Sequence, residues 1–132
     1  MGLILALWGC GRTDTAVSEA SVTESREEYR GFHLDHVLHS SDNGDIHYNL
    51  YVPDSYDGSE PYALFFTLPG YEGLYFQGVG ENLYREDFGF TAQEYVQDMI
   101  IVAPQLSDWG ETSANQTIAL VEYKSDRSHV VL

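Results

Sequence analysis

Two apolar runs constrain this chain more than anything else in it: Tyr62-Ala-Leu-Phe-Phe-Thr-Leu68 and Met99-Ile-Ile-Val-Ala103. A strand with one wet face alternates apolar and polar side chains, whereas a strand covered on both faces reads as an unbroken apolar run. Both runs are bounded by chain breakers, Pro69-Gly70 after the first and Pro104 after the second. They predict central strands of an open sheet with helices on both sides. Thr91-Ala-Gln-Glu94 has the form of a capping box and predicts a short helix over Thr91 to Asp98. Ser113-Ala-Asn-Gln116 offers a second box ahead of a helix over Thr117 to Tyr123.

Upstream, Phe32 to His39 and Ile46 to Val52 flank the turn cluster Ser41-Asp42-Asn43-Gly44, which predicts a β-hairpin. Pro53 closes the second strand, and residues 54–61 form a loop of Asp, Ser, Gly and Pro. The order is therefore a β-hairpin followed by β-α-β-α, which is the α/β class and neither a sandwich nor a bundle. No internal repeat is present.

Length and charge narrow the function. At 132 residues the chain holds one domain at most, and an aromatic content of 14% argues against disorder throughout. Six Lys and Arg stand against 21 Asp and Glu, a formal charge of −15. That sign repels phosphate backbones and anionic lipid surfaces, so nucleic acid is not an expected partner. No apolar stretch reaches the length of about 20 residues that spans a bilayer. The single cysteine, Cys10, excludes an internal disulfide and any site built from several thiolates.

The termini differ in style from the middle. Met1 to Cys10 is apolar, ends in Leu7-Trp8-Gly9-Cys10, and gives way to a polar stretch rich in Ser, Thr and Glu. It resembles a bacterial lipoprotein signal, which implies lipidation of Cys10 and a flexible tether to Ser25; the plainer reading is an apolar N-terminus with an inert thiol. At the other end, Lys124 to Leu132 carries the only lysine, and helical spacing fades after Tyr123. The expected organisation is a signal and tether over 1–25, a partial domain over 26–123, and an atypical tail over 124–132.

Tyr48-Asn-Leu-Tyr-Val-Pro-Asp54, then Pro61 to Tyr71, then Ile101-Val-Ala-Pro-Gln105 together resemble the secreted esterase type of α/β-hydrolase, including polyhydroxybutyrate depolymerase-like and prolyl-oligopeptidase-like enzymes. The resemblance covers about Gly31 to Tyr123. It implies the N-terminal part of a hydrolase sheet, truncated before the nucleophile elbow, in a protein exported to the cell exterior or lipid-anchored to the membrane. In that family the turn after the third strand supplies an oxyanion N–H, so Gly70 and Tyr71 are the oxyanion-hole candidates, with the Tyr71 amide as donor. A Gly turn without catalytic meaning is the competing reading. Asp108 and Trp109 leave the carboxyl end of the next strand, where open α/β sheets place ligands, and are candidates for a substrate cleft. The alternative has Asp108 capping the turn and Trp109 packed over the sheet end.

No Ser in the chain sits in a Gly-x-Ser-x-Gly elbow, so no triad residue is assigned. His33, His36 and His39 have suggestive spacing, but on a regular strand His36 points away from the other two, so no metal site is expected. Ser113 with His129 makes a poor nucleophile and base, because Ser113 is the better helix cap. Asp42, Asp45, Asp54, Asp57 and Glu60 lack EF-hand spacing and read as solvated acidic loops. Gly78-Val-Gly80 lacks the third glycine of a dinucleotide loop, so no cofactor is expected. Glu72-Gly-Leu-Tyr-Phe-Gln-Gly78 resembles the recognition sequence of a potyviral cysteine protease, but its place inside a loop favours coincidence.

Two functions follow as expectations. The first is the N-terminal fragment of an exported serine hydrolase, inactive as this chain, whose complete relatives take a small-molecule ester or a peptide. The second is a non-catalytic extracellular module that holds a sugar or peptide on Trp109, the Tyr-rich loops and acidic residues. The first also implies self-association: the family's third strand lies between the fourth and fifth, so without a fifth Leu64 to Leu68 presents an unpaired apolar edge.

Overall fold

The computed structural model describes residues 20–69, 80–106 and 108–126. The chain runs β1 (Ser21–Thr23), β2 (Glu28–Tyr29), β3 (Phe32–Ser40), β4 (Gly44–Tyr51), β5 (Ala63–Phe66), α1 (Glu81–Arg85), α2 (Phe88–Tyr95), β6 (Met99–Gln105) and α3 (Glu111–Ser125). This is a mixed α/β arrangement with one six-stranded sheet in the order β1-β3-β4-β6-β5, and β2 pairs with β3 beside β1. β3, β4 and β6 are successively antiparallel, whereas β5 and β6 are parallel.

The hairpin forms where the turn cluster predicts it. Ser40 pairs with Gly44, and Gly44 at φ 70° supplies the left-handed residue that closes the turn. A second, unexpected hairpin joins β2 to β3 through Arg30 (φ 48°) and Gly31 (φ 86°), the two consecutive positive φ angles of a type I′ turn.

β6 is a central strand buried on both faces, as its unbroken apolar run requires, whereas β5, expected to be a second central strand, stands at the end of the sheet order with its residues exposed or only partly buried. On one face Leu38, Ile46, Tyr48, Leu50, Ile100 and Val102 pack beneath Leu120 of α3. On the other, Phe32, Leu34, Met99, Ile101 and Ala103 pack with Leu83 of α1. Phe90 of α2 closes that side, its ring edge-on to Phe32 at 5.4 Å. β6 is buried along nearly its whole length and serves both clusters.

Several boundaries differ from the sequence expectation, among them those of β6, α2 and α3. Pro104 does not end β6, which continues to Gln105. Thr67 N donates to Val102 O, so residues in phase with Val102 turn their backbone groups toward β5. Pro104 shares that phase and lies past the last β5 pair, Phe66 with Val102, so its missing N–H deprives no partner. The helix expected from Thr91 begins at Phe88, and Thr91 N donates to Asp87 O as an interior residue. Packing of Phe90 against Phe32 and Tyr29 sets that start, not the Thr91 hydroxyl. α3 begins at Glu111 and extends through Lys124 and Ser125, beyond the expected stop at Tyr123.

β3 changes face midway. Its pairing to β4 slips by one residue between His33 and His36, and Asp35 within the slip has φ 59°. Such a β-bulge moves every later side chain to the opposite face. Phe32 and Leu34 therefore belong to one core cluster and Leu38 to the other. Buried Asn49 pins the bulge: its Oδ1 accepts from Asp35 N at 3.1 Å, and its Nδ2 donates to Ala103 O at 3.4 Å.

Candidate functional site

The carboxyl ends of the parallel strands β5 and β6 form the edge where an open sheet presents loops. Gly70 and Tyr71, the oxyanion-hole candidates, lie outside the described residues, as do Cys10 and His129. The strand that leads to them is in place. β5 is followed by buried Thr67 and by Leu68, which is 48% exposed. Asn82 at the start of α1 is buried beside this exit, and its Nδ2 donates to Thr67 O at 3.4 Å.

On the β6 side, Asp108 and Ser113 brace the entry to α3. Asp108 Oδ1 accepts from Gly110 N at 2.9 Å and from Ser113 N at 3.1 Å, while Asp108 N donates to Ser113 Oγ at 3.0 Å. The Gly110 N–H and the Ser113 bonds hold the Asp108 carboxyl below its ordinary range. Asp108 thus satisfies orphan amides at the helix start, the role of a cap placed two residues ahead of the assigned N-cap, Gly110. The box expected from Ser113 to Gln116 is not the one used, because Ser113 is already buried in the first turn. Trp109, between the two, is 50% exposed.

An open apolar groove of about 400 Å³ lies between β5 and α2, lined by Phe65, Phe66, Leu68, Phe88, Ala92 and Tyr95 among others. Phe88 is 61% and Tyr95 82% exposed.

The histidines do not sit where a regular strand puts them. Because of the bulge, His33 and His36 share one face with ring centroids 6.0 Å apart, which corrects the expectation that His36 opposes His33. Both line a polar cavity of about 430 Å³ with Glu24, Ser25, Arg26 and Glu28. His36 is buried and stacked on Tyr48 at 5.6 Å, and neither of its ring nitrogens has a hydrogen-bond partner. Burial, reinforced by the Lys124 charge, lowers the His36 pKa. Burial also raises the Tyr48 phenol well above its ordinary value. Both groups are therefore neutral at pH 7.

His39 faces the other way and belongs to a cross-strand trio. Thr23 Oγ1 lies 2.7 Å from His39 Nε2, and His39 Nδ1 lies 2.7 Å from Asp45 Oδ1. The neighbouring pair His47 and Asp35 repeats the imidazole–carboxylate contact. Among the described residues no group of three or more His, Cys, Asp or Glu is placed to hold a metal ion, and no helix is long and apolar enough to cross a membrane. Reading the sequence alone missed Asn49 and the bulge it pins. The available signal was a polar amide set between Tyr48 and Leu50 in the buried half of its strand.

No family model, no curated protein and no solved structure matches this chain.

Proposed function

We propose that this chain is the N-terminal portion of an exported α/β-hydrolase of the esterase or peptidase kind, and that it is catalytically silent alone. One observation carries the reading: the strand after the hairpin, β5, is placed outside the next strand, β6, and parallel to it, with β6 seated against the hairpin. The resemblance calls for a third strand that has the fourth on one side and a fifth on the other. β5 has β6 on one side, and among the described residues nothing pairs with its other side. In this reading the turn at Gly70 and Tyr71 offers an oxyanion amide, while attack and proton transfer belong to residues outside this chain.

The test is hydrolysis of a short-chain p-nitrophenyl ester by the purified chain, run beside labelling with a fluorophosphonate probe. Neither turnover nor labelling is expected. Turnover with a labelled serine overturns the proposal, because a nucleophile then exists without an elbow. A second reading, an extracellular module that binds a sugar or peptide, draws on the half-exposed Trp109. Saturable quenching of tryptophan fluorescence by an oligosaccharide or peptide, lost in Trp109→Ala, favours it.

A further inference from the structure

The chain from β1 to β2 lies along β3 as a strap anchored at its two ends. Val22 of β1 packs against the core cluster of Leu38 and Leu120, and Tyr29 of β2 meets Tyr84 edge-on at 4.5 Å. Between these anchors none of residues 24–28 is buried. They are tied to β3 through Glu27 O, which accepts from Leu34 N at 2.7 Å, and through Glu28, whose Oε1 lies 3.4 Å from His33 Nε2. The polar cavity of about 430 Å³ is walled by Glu24, Ser25, Arg26 and Glu28 of this segment and by His33 and His36 of β3.

His36 contributes to that wall, but its two ring nitrogens are enclosed and neither has a hydrogen-bond partner. A neutral imidazole leaves one donor and one acceptor unspent there, whereas an imidazolium leaves two donors and a positive charge. Tyr48 of β4 stacks on the ring at 5.6 Å. Lys124 of α3 and His33 oppose a positive charge at this place, while Glu24 of the strap and Asp35 in the bulge favour one. Arg26 and Glu28 are the other charged groups of the cavity. Enclosure prevails over the two carboxylates, and His36 titrates below its ordinary value of 6.5.

We propose that residues 24–28 form an acid-released strap: when His36 takes up a proton, the segment lifts from β3 between its two anchors and admits water to the imidazolium. The ring already borders a cavity, so a displacement of the cover alone solvates its nitrogens, and no core residue has to move. The lift breaks the bond from Leu34 N to Glu27 O and leaves the outer backbone of β3 open beside the bulge. Covered, His36 binds a proton weakly; uncovered, it binds one with its ordinary affinity. Opening therefore takes up a proton and is favoured as pH falls below 6.5, by at most about tenfold per pH unit.

The experiment follows hydrogen exchange of single amides by NMR in the full chain from pH 7 to pH 5. His36→Phe, which keeps a ring on Tyr48, and His36→Leu serve as references at each pH, so that the intrinsic pH dependence of exchange cancels. Relative to both, protection of the wild-type Leu34 amide is expected to fall about tenfold across this range. The slowest amides of β6 report unfolding of the whole chain. At pH 5 Leu34 should exchange faster than these and respond little to dilute urea, because lifting five residues exposes little surface. Wild-type protection at Leu34 that follows the references, or a Leu34 rate and urea slope equal to those of β6, overturns the proposal. His33→Asn removes the contact with Glu28 and should keep the acid response. Loss of the response in that variant also overturns the proposal, because titration of His33 then carries it. No arm depends on ester hydrolysis.

Discussion

Along β3, the outer backbone is covered by two short strands in turn, β2 opposite Phe32 and His33 and β1 opposite Val37 to His39. Some of the side chains there are polar and mutually bonded, as in the Thr23, His39 and Asp45 trio. Along β5, at the far side of the sheet, four residues pair, among the described residues, only with β6, and Leu68, Phe88 and Tyr95 are exposed beside them. Both are edges of one sheet, yet the first is blunted by shortness and polarity while the second has the form of a template for another strand. The difference teaches that the polar character of an edge is local, whereas a buried-type strand at an edge requires something to cover it.

Predictions that sharpen this contrast begin with the bulge behind the blunted edge. Asn49→Leu takes away the acceptor of Asp35 N and a side-chain donor to Ala103 O and should cost about 2 kcal/mol of stability, read by urea unfolding. A cost near zero would mean that the bulge does not depend on Asn49. At the open edge, the double variant Leu68→Lys, Phe88→Lys places charge beside β5 and should weaken self-association about tenfold or more in sedimentation velocity. A wild-type chain that stays monomeric at high concentration would break the contrast and count against the hydrolase reading.

Smaller effects concern the blunted side. His36 is buried with its pKa lowered, so the unfolded chain binds the proton more readily. The stabilising contribution of its neutral form is complete above pH 6.5 and is lost as pH falls through the lower folded value. His36→Leu should remove that part of the pH dependence and raise stability by about 1 kcal/mol near pH 6, measured by denaturant titration across pH 5 to 8. Last, Asp45→Asn removes an exposed imidazole–carboxylate contact and should cost less than about 1 kcal/mol. A larger loss would show that the trio, and not strand length, protects the edge.

Much of the sheet was legible because burial writes itself into composition. Tyr62 to Leu68 and Met99 to Ala103 have no polar phase, and Gly44 marks a turn that only a left-handed residue closes easily. The capping boxes misled, because a Thr or Ser three residues before Glu or Gln occurs inside helices as well as at their starts. Phe90 against Phe32 outweighed Thr91, and the Asp108 carboxylate reached amides that Ser113 was expected to serve. The histidine arrangement was illegible for a similar reason: one extra residue at Asp35 inverts the alternation, and nothing within β3 announces it.

The sequence by itself determined the α/β class, the hairpin and the central strand β6, buried on both faces, since each follows from local burial pattern and turn chemistry. Tertiary structure alone decided that β6 stands between the hairpin and β5, that His33 and His36 look the same way, and that Lys124 is buried with its Nζ beside the Tyr48 ring. The reason is physical. Strand order, face inversion and the burial of a single charge depend on pairings between residues far apart in the chain, and their free energy appears only when those segments meet.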